Sequence, residues 1–220
     1  MRALPAPLVL WFLLLCGFVV LSVFAAAHDR FPADLWLAHR LQDADSSAFV
    51  TALDSAEDLA DSPISLFVGF AGVVLLLAAS LRSEALVLLS TVLSSPINVA
   101  IKELVDRPRP AADLIRVGGH PSGSSFPSGH ADSVLVLYGL LFYLITLFVG
   151  QPALRLVGQV ACLWVILFTG MERVYNGAHW PSDVLGGYYI GGLMLATLIA
   201  LHRRLRPAPE AVTGDSQPRY

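Results

Sequence analysis

Two histidines, four cations and five carboxylates stand in three short polar stretches of a chain that is otherwise strongly apolar. The first stretch, KELVDRPRP, places Lys102 and Arg109 seven residues apart, with Pro108 and Pro110 stiffening the turn. The second, FPSGHADS, carries Ser128, Gly129 and His130. The third, MERVYNGAHWPSD, carries Glu172, Arg173, His179 and Asp183. Lys102, Arg109 and Arg173 suit an oxyanion, because a planar guanidinium matches phosphate oxygens and an ammonium adds a compact charge. Ser128 and Gly129 lie just before an apolar run, so they are expected at a helix start, where free N–H groups and the macrodipole attract anions. Ser128 is then a helix cap or a direct donor. Pro181 suits the first turn of a further helix, and Asp183 falls near its positive end, which favours the ionised form. Four residues after His179, Asp183 can hold one ring nitrogen as N–H and leave the other a free lone pair. An imidazole so oriented beside an anion seat is a candidate nucleophile. His130 is the candidate acid for the leaving oxygen and later the base for water. The chemistry implied is two-step phosphoryl transfer through a phosphohistidine, with cations stabilising the equatorial oxygens.

Each feature alone has a plainer reading. An interfacial arginine usually snorkels to headgroups, and a histidine four residues from a carboxylate can ligate a metal. Convergence of three cations, two histidines and a helix start favours the phosphate site, with no metal and no cofactor assigned. His28, His39, His120 and His202 lack such company and read as surface residues. Arg107 and Arg116 are left open between lining an entrance, meeting headgroups and neither. Cys16 and Cys162 lie within apolar runs and read as small hydrophobes.

The elements that must hold these groups follow from composition. Of 220 residues 55% are hydrophobic and 14% charged, with mean hydropathy +0.66, against about 25% charged in an average soluble domain. Six uncharged apolar runs stand out: 4–27, 64–81, 85–101, 133–150, 156–171 and 184–201. A membrane span needs about 20 apolar residues, range roughly 17–25, so five qualify outright and the fifth run is marginal. A soluble enzyme, a disulfide scaffold and a disordered chain are excluded; the net charge of −3 selects no partner and nothing suggests nucleic acid. The first run is longer than a signal-peptide core and is expected to be retained as a span.

Between the first two runs, 28–63 holds eight acidic and two basic residues. Phe49, Val50, Leu53 and Leu59 recur there at near-helical spacing, as does a shorter pattern at Trp36 and Leu37. One or two amphipathic helices on the membrane surface, or a solvated helical hairpin, satisfy that pattern. Arg2, Arg82, Arg155, Arg203, Arg204 and Arg206 fall on one side if all six spans exist, which predicts cytoplasmic termini and an extracytoplasmic site. Gly187 and Gly191 are expected to form a close packing face. Pro96 and Asn98 suggest a kink and an interhelical hydrogen bond. The expected organisation is a first span over 1–27, an amphipathic segment over 28–63, a five-helix catalytic core over 64–201 and a disordered cytoplasmic tail over 202–220. The fold class is all-α, a six-span membrane protein with short interfacial helices.

These three stretches resemble the type 2 phosphatidic acid phosphatase superfamily of integral-membrane lipid phosphatases, whose signature is K-x6-R-P, P-S-G-H and S-R-x5-H-x3-D. Lys102, Arg109 and Pro110 meet the first motif, Pro127 to His130 the second, and Arg173, His179 and Asp183 the third. The resemblance covers roughly 64–201. It implies a six-helix core, metal-independent phosphomonoesterase or pyrophosphatase activity, His179 as nucleophile and His130 as acid/base. One position departs, since Glu172 stands where the family has serine; a carboxylate there would repel a phosphate dianion unless it turns to a basic neighbour or contacts the head group. Undecaprenyl pyrophosphate, phosphatidylglycerol phosphate and phosphatidic acid resemble family substrates, and a prenyl pyrophosphate is slightly favoured by analogy with compact bacterial members. A phosphotransferase on the same scaffold is the alternative. A transporter fits poorly, because its charges belong near mid-span and these crowd one interface.

Overall fold

Long apolar runs punctuated by proline and polar turns become helices, and the polar turns collect at the ends of a bundle. The computed structural model describes residues 5–119 and 122–205; Arg2, His120 and the part of the expected 202–220 tail from Arg206 onward lie outside them. Among the described residues there is no strand. The helices are α1 (Ala6–Ala27), α2 (Asp34–Gln42), α3 (Ser47–Ala60), α4 (Ser62–Ala78), α5 (Arg82–Leu89), α6 (Ser94–Val105), α7 (Gly129–Phe148), α8 (Pro152–Tyr175) and α9 (Pro181–Leu205). Pro152 opens α8 and Pro181 opens α9, positions where the missing N–H costs nothing.

Five segments are long and apolar enough to cross a membrane: α1, Arg82–Val105, α7, α8 and α9. Large side chains on them face outward, such as Val20 at 68% exposure, as expected of lipid-facing surface. The run 85–101 is broken within by a 3-10 turn at Ser90–Leu93 rather than at Pro96. Asn98 and Asp132 are both buried, and among the described residues neither side chain has a close hydrogen-bond partner other than the other. The two side chains face each other between α6 and α7, so the expected interhelical contact of that amide is with Asp132.

The second run yields only the 17 residues of α4, which reach span length when joined to α3 across a 56° bend. α3 turns Leu53, Ala56 and Ala60 inward and packs along α8, leaving Asp54 and Asp58 in the open. Helix α9 runs through His202 to Leu205, past the expected boundary at 201.

α7 is the centre of the bundle, packed along both α8 and α9. The glycine face is the reason α9 can approach: a Cβ at Gly187 would meet Ala131 Cβ at 3.0 Å, and one at Gly191 would meet the Asp132 carbonyl at 3.0 Å. α1 leans on this core through Phe18, whose ring stacks on Phe126 at 6.2 Å and tilts against Tyr189 at 5.7 Å. His28 and His39 are exposed as expected, but His202 is fully buried, paired with Glu84 and Tyr143. Its position on the inward face of α9 is a helical phase that a span-end location does not reveal.

Candidate functional site

The C-terminal ends of α6 and α8 and the N-terminal ends of α7 and α9 meet at one end of the bundle. Two left-handed residues shape the loops there. Asp106 (φ 46°) terminates α6, a conformation aspartate tolerates better than most residues, and the chain then turns Arg107 inward. Gly177 (φ +66°) lies between α8 and α9 against the Arg116 carbonyl, where a side chain has no room, and delivers His179 two residues later.

His179 is 4% exposed. Its Nε2 lies 3.3 Å from Nη1 of Arg109, and its Nδ1 lies 3.7 Å from Oδ2 of Asp183. Arginine can only donate, so Nε2 carries the lone pair and Nδ1 the proton that faces Asp183. The 3.7 Å separation is longer than a hydrogen bond; Oδ2 accepts from Ser125 Oγ and from Trp180 N at 2.8 Å, and Ser125 Oγ lies 3.5 Å from Nδ1. Burial lowers the His179 pKa from 6.5 to about 4; Asp183 opposes that shift, and Lys102 and Arg109 add to it. The imidazole is therefore neutral at physiological pH, the state a nucleophile needs.

Lys102 Nζ donates to the carbonyls of Ser124 at 2.7 Å and Ser125 at 3.4 Å. Arg109 donates to Gly123 O, Ser122 O and Ala178 O at 2.9, 3.1 and 2.7 Å. Both cations are thus held by loop carbonyls beside His179. Ser128 Oγ accepts from Ala131 N at 3.5 Å, which makes it the cap of α7. That capping leaves the N–H groups of Gly129 and His130 without intrahelical acceptors, pointed where an anion can take them. His130 is half-buried, with Asp61, Lys102 and Arg109 as its charged neighbours.

Arg173 stands apart from the other expected cations, and Glu172 takes the first of its two expected arrangements. The Arg173 guanidinium is engaged by Glu57 of α3 and by Glu172. Glu172 is fully buried and also accepts from Asn176 Nδ2, so it turns to a basic neighbour. Arg116 stacks over the Tyr175 ring at 4.7 Å and reaches Gln42 O at 3.4 Å.

Arg107 neither lines an entrance nor meets headgroups. Its side chain is fully buried, donating from Nη1 to Asp183 Oδ1 at 2.5 Å and Ser182 Oγ at 2.8 Å, from Nη2 to Asp34 Oδ2 at 3.2 Å, and from Nε to His28 O at 3.1 Å. Asp34 on α2 also accepts from Ser182 N at 2.8 Å and Ser182 Oγ at 2.6 Å. Sequence reasoning missed Asp34, since nothing local distinguishes it from the other seven acidic residues of 28–63. With guanidinium groups on both sides, the His179–Asp183 pair is poor company for a metal cation.

Fold and site together define a polytopic helical membrane protein with an anion-seating polar cluster at one end of its bundle. The chain belongs to the PAP2 superfamily, whose family model matches residues 83–207. A lipid A 1-phosphatase of Rhizobium etli is 31% identical over 157 residues, 63% of this chain and 62% of that protein. Phosphatidylglycerophosphatase B of Bacillus subtilis is 34% identical over 102 residues, 44% of this chain and 47% of that protein. This chain thus spans less than two thirds of the length of either relative. The crystal structure of the first transmembrane PAP2 type phosphatidylglycerolphosphate phosphatase from Bacillus subtilis aligns with TM-score 0.73 at 21% identity, over 89% of this chain and 97% of that one. At that identity the likeness is one of fold.

Proposed function

We propose that this chain is a membrane lipid phosphatase, hydrolysing a phosphomonoester or pyrophosphate of a lipid whose tail stays in the bilayer. The observation that carries the proposal is the orientation of His179, with its Nε2 lone pair toward Arg109 and its Nδ1 toward Asp183. Nε2 attacks phosphorus, a P–N bond forms, and the P–O bond to the lipid breaks. His130 protonates the departing oxygen. Water, losing its proton to His130, then cleaves the P–N bond and frees phosphate. Lys102, Arg109 and the first N–H groups of α7 hold the equatorial oxygens, and Arg173 joins them when an incoming phosphate displaces Glu57. The family relationship and the names of the relatives support this reading.

The site is further assigned to the extracytoplasmic face. Arg82, Arg155, Arg203 and Arg204 stand at the opposite end of the bundle from His179, which supports a cytoplasmic assignment for that end. On this reading the segment before α3 lies outside and 64–201 carries the motifs. Helix α3 itself packs into the bundle along α8 and, joined to α4, reaches span length, so the expected surface segment over 28–63 is cut short at α3. Phosphate release from purified protein across prenyl pyrophosphates, phosphatidylglycerol phosphate and phosphatidic acid is the test, and the favoured substrate class is a prenyl pyrophosphate. Release from none of them, with the protein monodisperse, would overturn the proposal.

A further inference from the structure

We propose that Asp34, on helix α2 and outside all three motifs, is a positioning residue for His179 that acts through Arg107 and Asp183 by keeping one negative charge uncompensated beside the imidazole. This rests on the phosphoryl-transfer reading. The geometry is a closed relay: Asp34 and Asp183, both buried, flank one guanidinium whose side chain is fully shielded from solvent. Phe31 covers that guanidinium with its ring at 4.6 Å. Ser182 ties the relay together, giving its N–H and hydroxyl to Asp34 while accepting from Arg107. A cap for the start of α9 needs only the two bonds from Ser182, so the bond to Arg107 asks for another explanation.

Charge counting supplies it. Arg107 and Asp183 alone would form a neutral pair, and the field of Asp183 at the ring would be largely cancelled in a medium that screens weakly. Asp34 brings the trio to a net charge of minus one. The imidazole gains positive charge as Nε2 attacks phosphorus, and Lys102 from α6 and Arg109 from the following loop both oppose that gain. From α8, Arg173 is taken up by Glu57 and Glu172; from α7, His130 faces the site. The uncompensated charge carried through Asp183 is what favours the developing imidazolium. Helix α2 is thereby part of the catalytic apparatus as well as a surface element.

The test is a charge cycle in the full-length protein, using Asp34→Asn, Arg107→Gln and the double variant. Asp34→Asn makes the relay neutral and is expected to lower kcat about 10- to 100-fold, with KM changed less than about threefold, because the loss falls on the transition state. The double variant restores minus one and is expected to recover kcat to within about threefold of the parent. A purely structural role for Asp34 predicts a double variant no better than the worse single one, and that result would overturn the proposal, as would an unchanged kcat in Asp34→Asn. If Asp34→Asn is not monodisperse, Asp34→Ser, which keeps a hydroxyl for Ser182, replaces it in the cycle. Orthovanadate, which bonds to Nε2 in a trigonal-bipyramidal adduct, gives a readout without lipid hydrolysis: weaker binding in Asp34→Asn, recovered in the double variant. A parent that releases no phosphate from any lipid but shows this order of vanadate affinity would sink the phosphatase reading and leave the relay standing. A vanadate affinity indifferent to Asp34 would sink the relay.

Discussion

Each end of the bundle buries a histidine against a carboxylate, and the two are built to opposite purposes. At the end away from the motifs, His202 of α9 meets Glu84 of α5 at 3.2 Å through Nε2 and the Tyr143 hydroxyl at 3.0 Å through Nδ1. Both ring nitrogens are spent, so the group joins α5, α7 and α9 and has no lone pair to offer. At the other end Nε2 of His179 faces only a cation, and the carboxylate behind Nδ1 is shared with a guanidinium and a serine. Burial and ion pairing are common to both. What distinguishes the end proposed as reactive is a ring nitrogen whose lone pair meets only a side chain's cation at 3.3 Å, a second cation nearby and a helix start with free N–H groups.

Substitutions at each end sharpen that contrast. His130→Ala should have the larger effect, lowering kcat for phosphate release by about 10²- to 10⁴-fold, the usual worth of a positioned acid/base group. A loss under threefold would remove His130 from the mechanism. His202→Ala should leave phosphate release per folded molecule unchanged while lowering the unfolding temperature, since Glu84 and Tyr143 each lose a buried partner at a cost of about 1–3 kcal/mol. An activity loss at constant unfolding temperature would break the distinction between the two ends.

What could be read from the chain before folding depended on distance along it. His179 and Asp183 are four apart, Lys102 and Arg109 seven, and Ser128 sits at a helix start; spacing and cap chemistry carry those residues into place. Six apolar runs likewise foretold the helical membrane bundle, though not the 3-10 turn at Ser90–Leu93 nor that α3 and α4 join across a bend. Arg107 was ambiguous, since a loop arginine near a membrane normally reaches water or headgroups; its burial depends on two carboxylates, Asp183 from α9 and Asp34 from α2, that come from far along the chain. Arg173 was expected to stand free for phosphate, and its two carboxylates come from an adjacent residue and from a helix more than a hundred positions earlier. His202 shows the same limit, because its partner Glu84 lies on a helix that sequence alone does not bring alongside α9.

The central claim is that His179 bonds covalently to phosphorus. Rapid quenching of the purified protein with a lipid substrate labelled at the transferred phosphorus tests it directly. The label is expected on the protein as an alkali-stable, acid-labile adduct that maps to His179 and is absent in His179→Asn. Phosphate release at full rate with no such adduct during turnover, or an equal adduct in His179→Asn, would contradict the account.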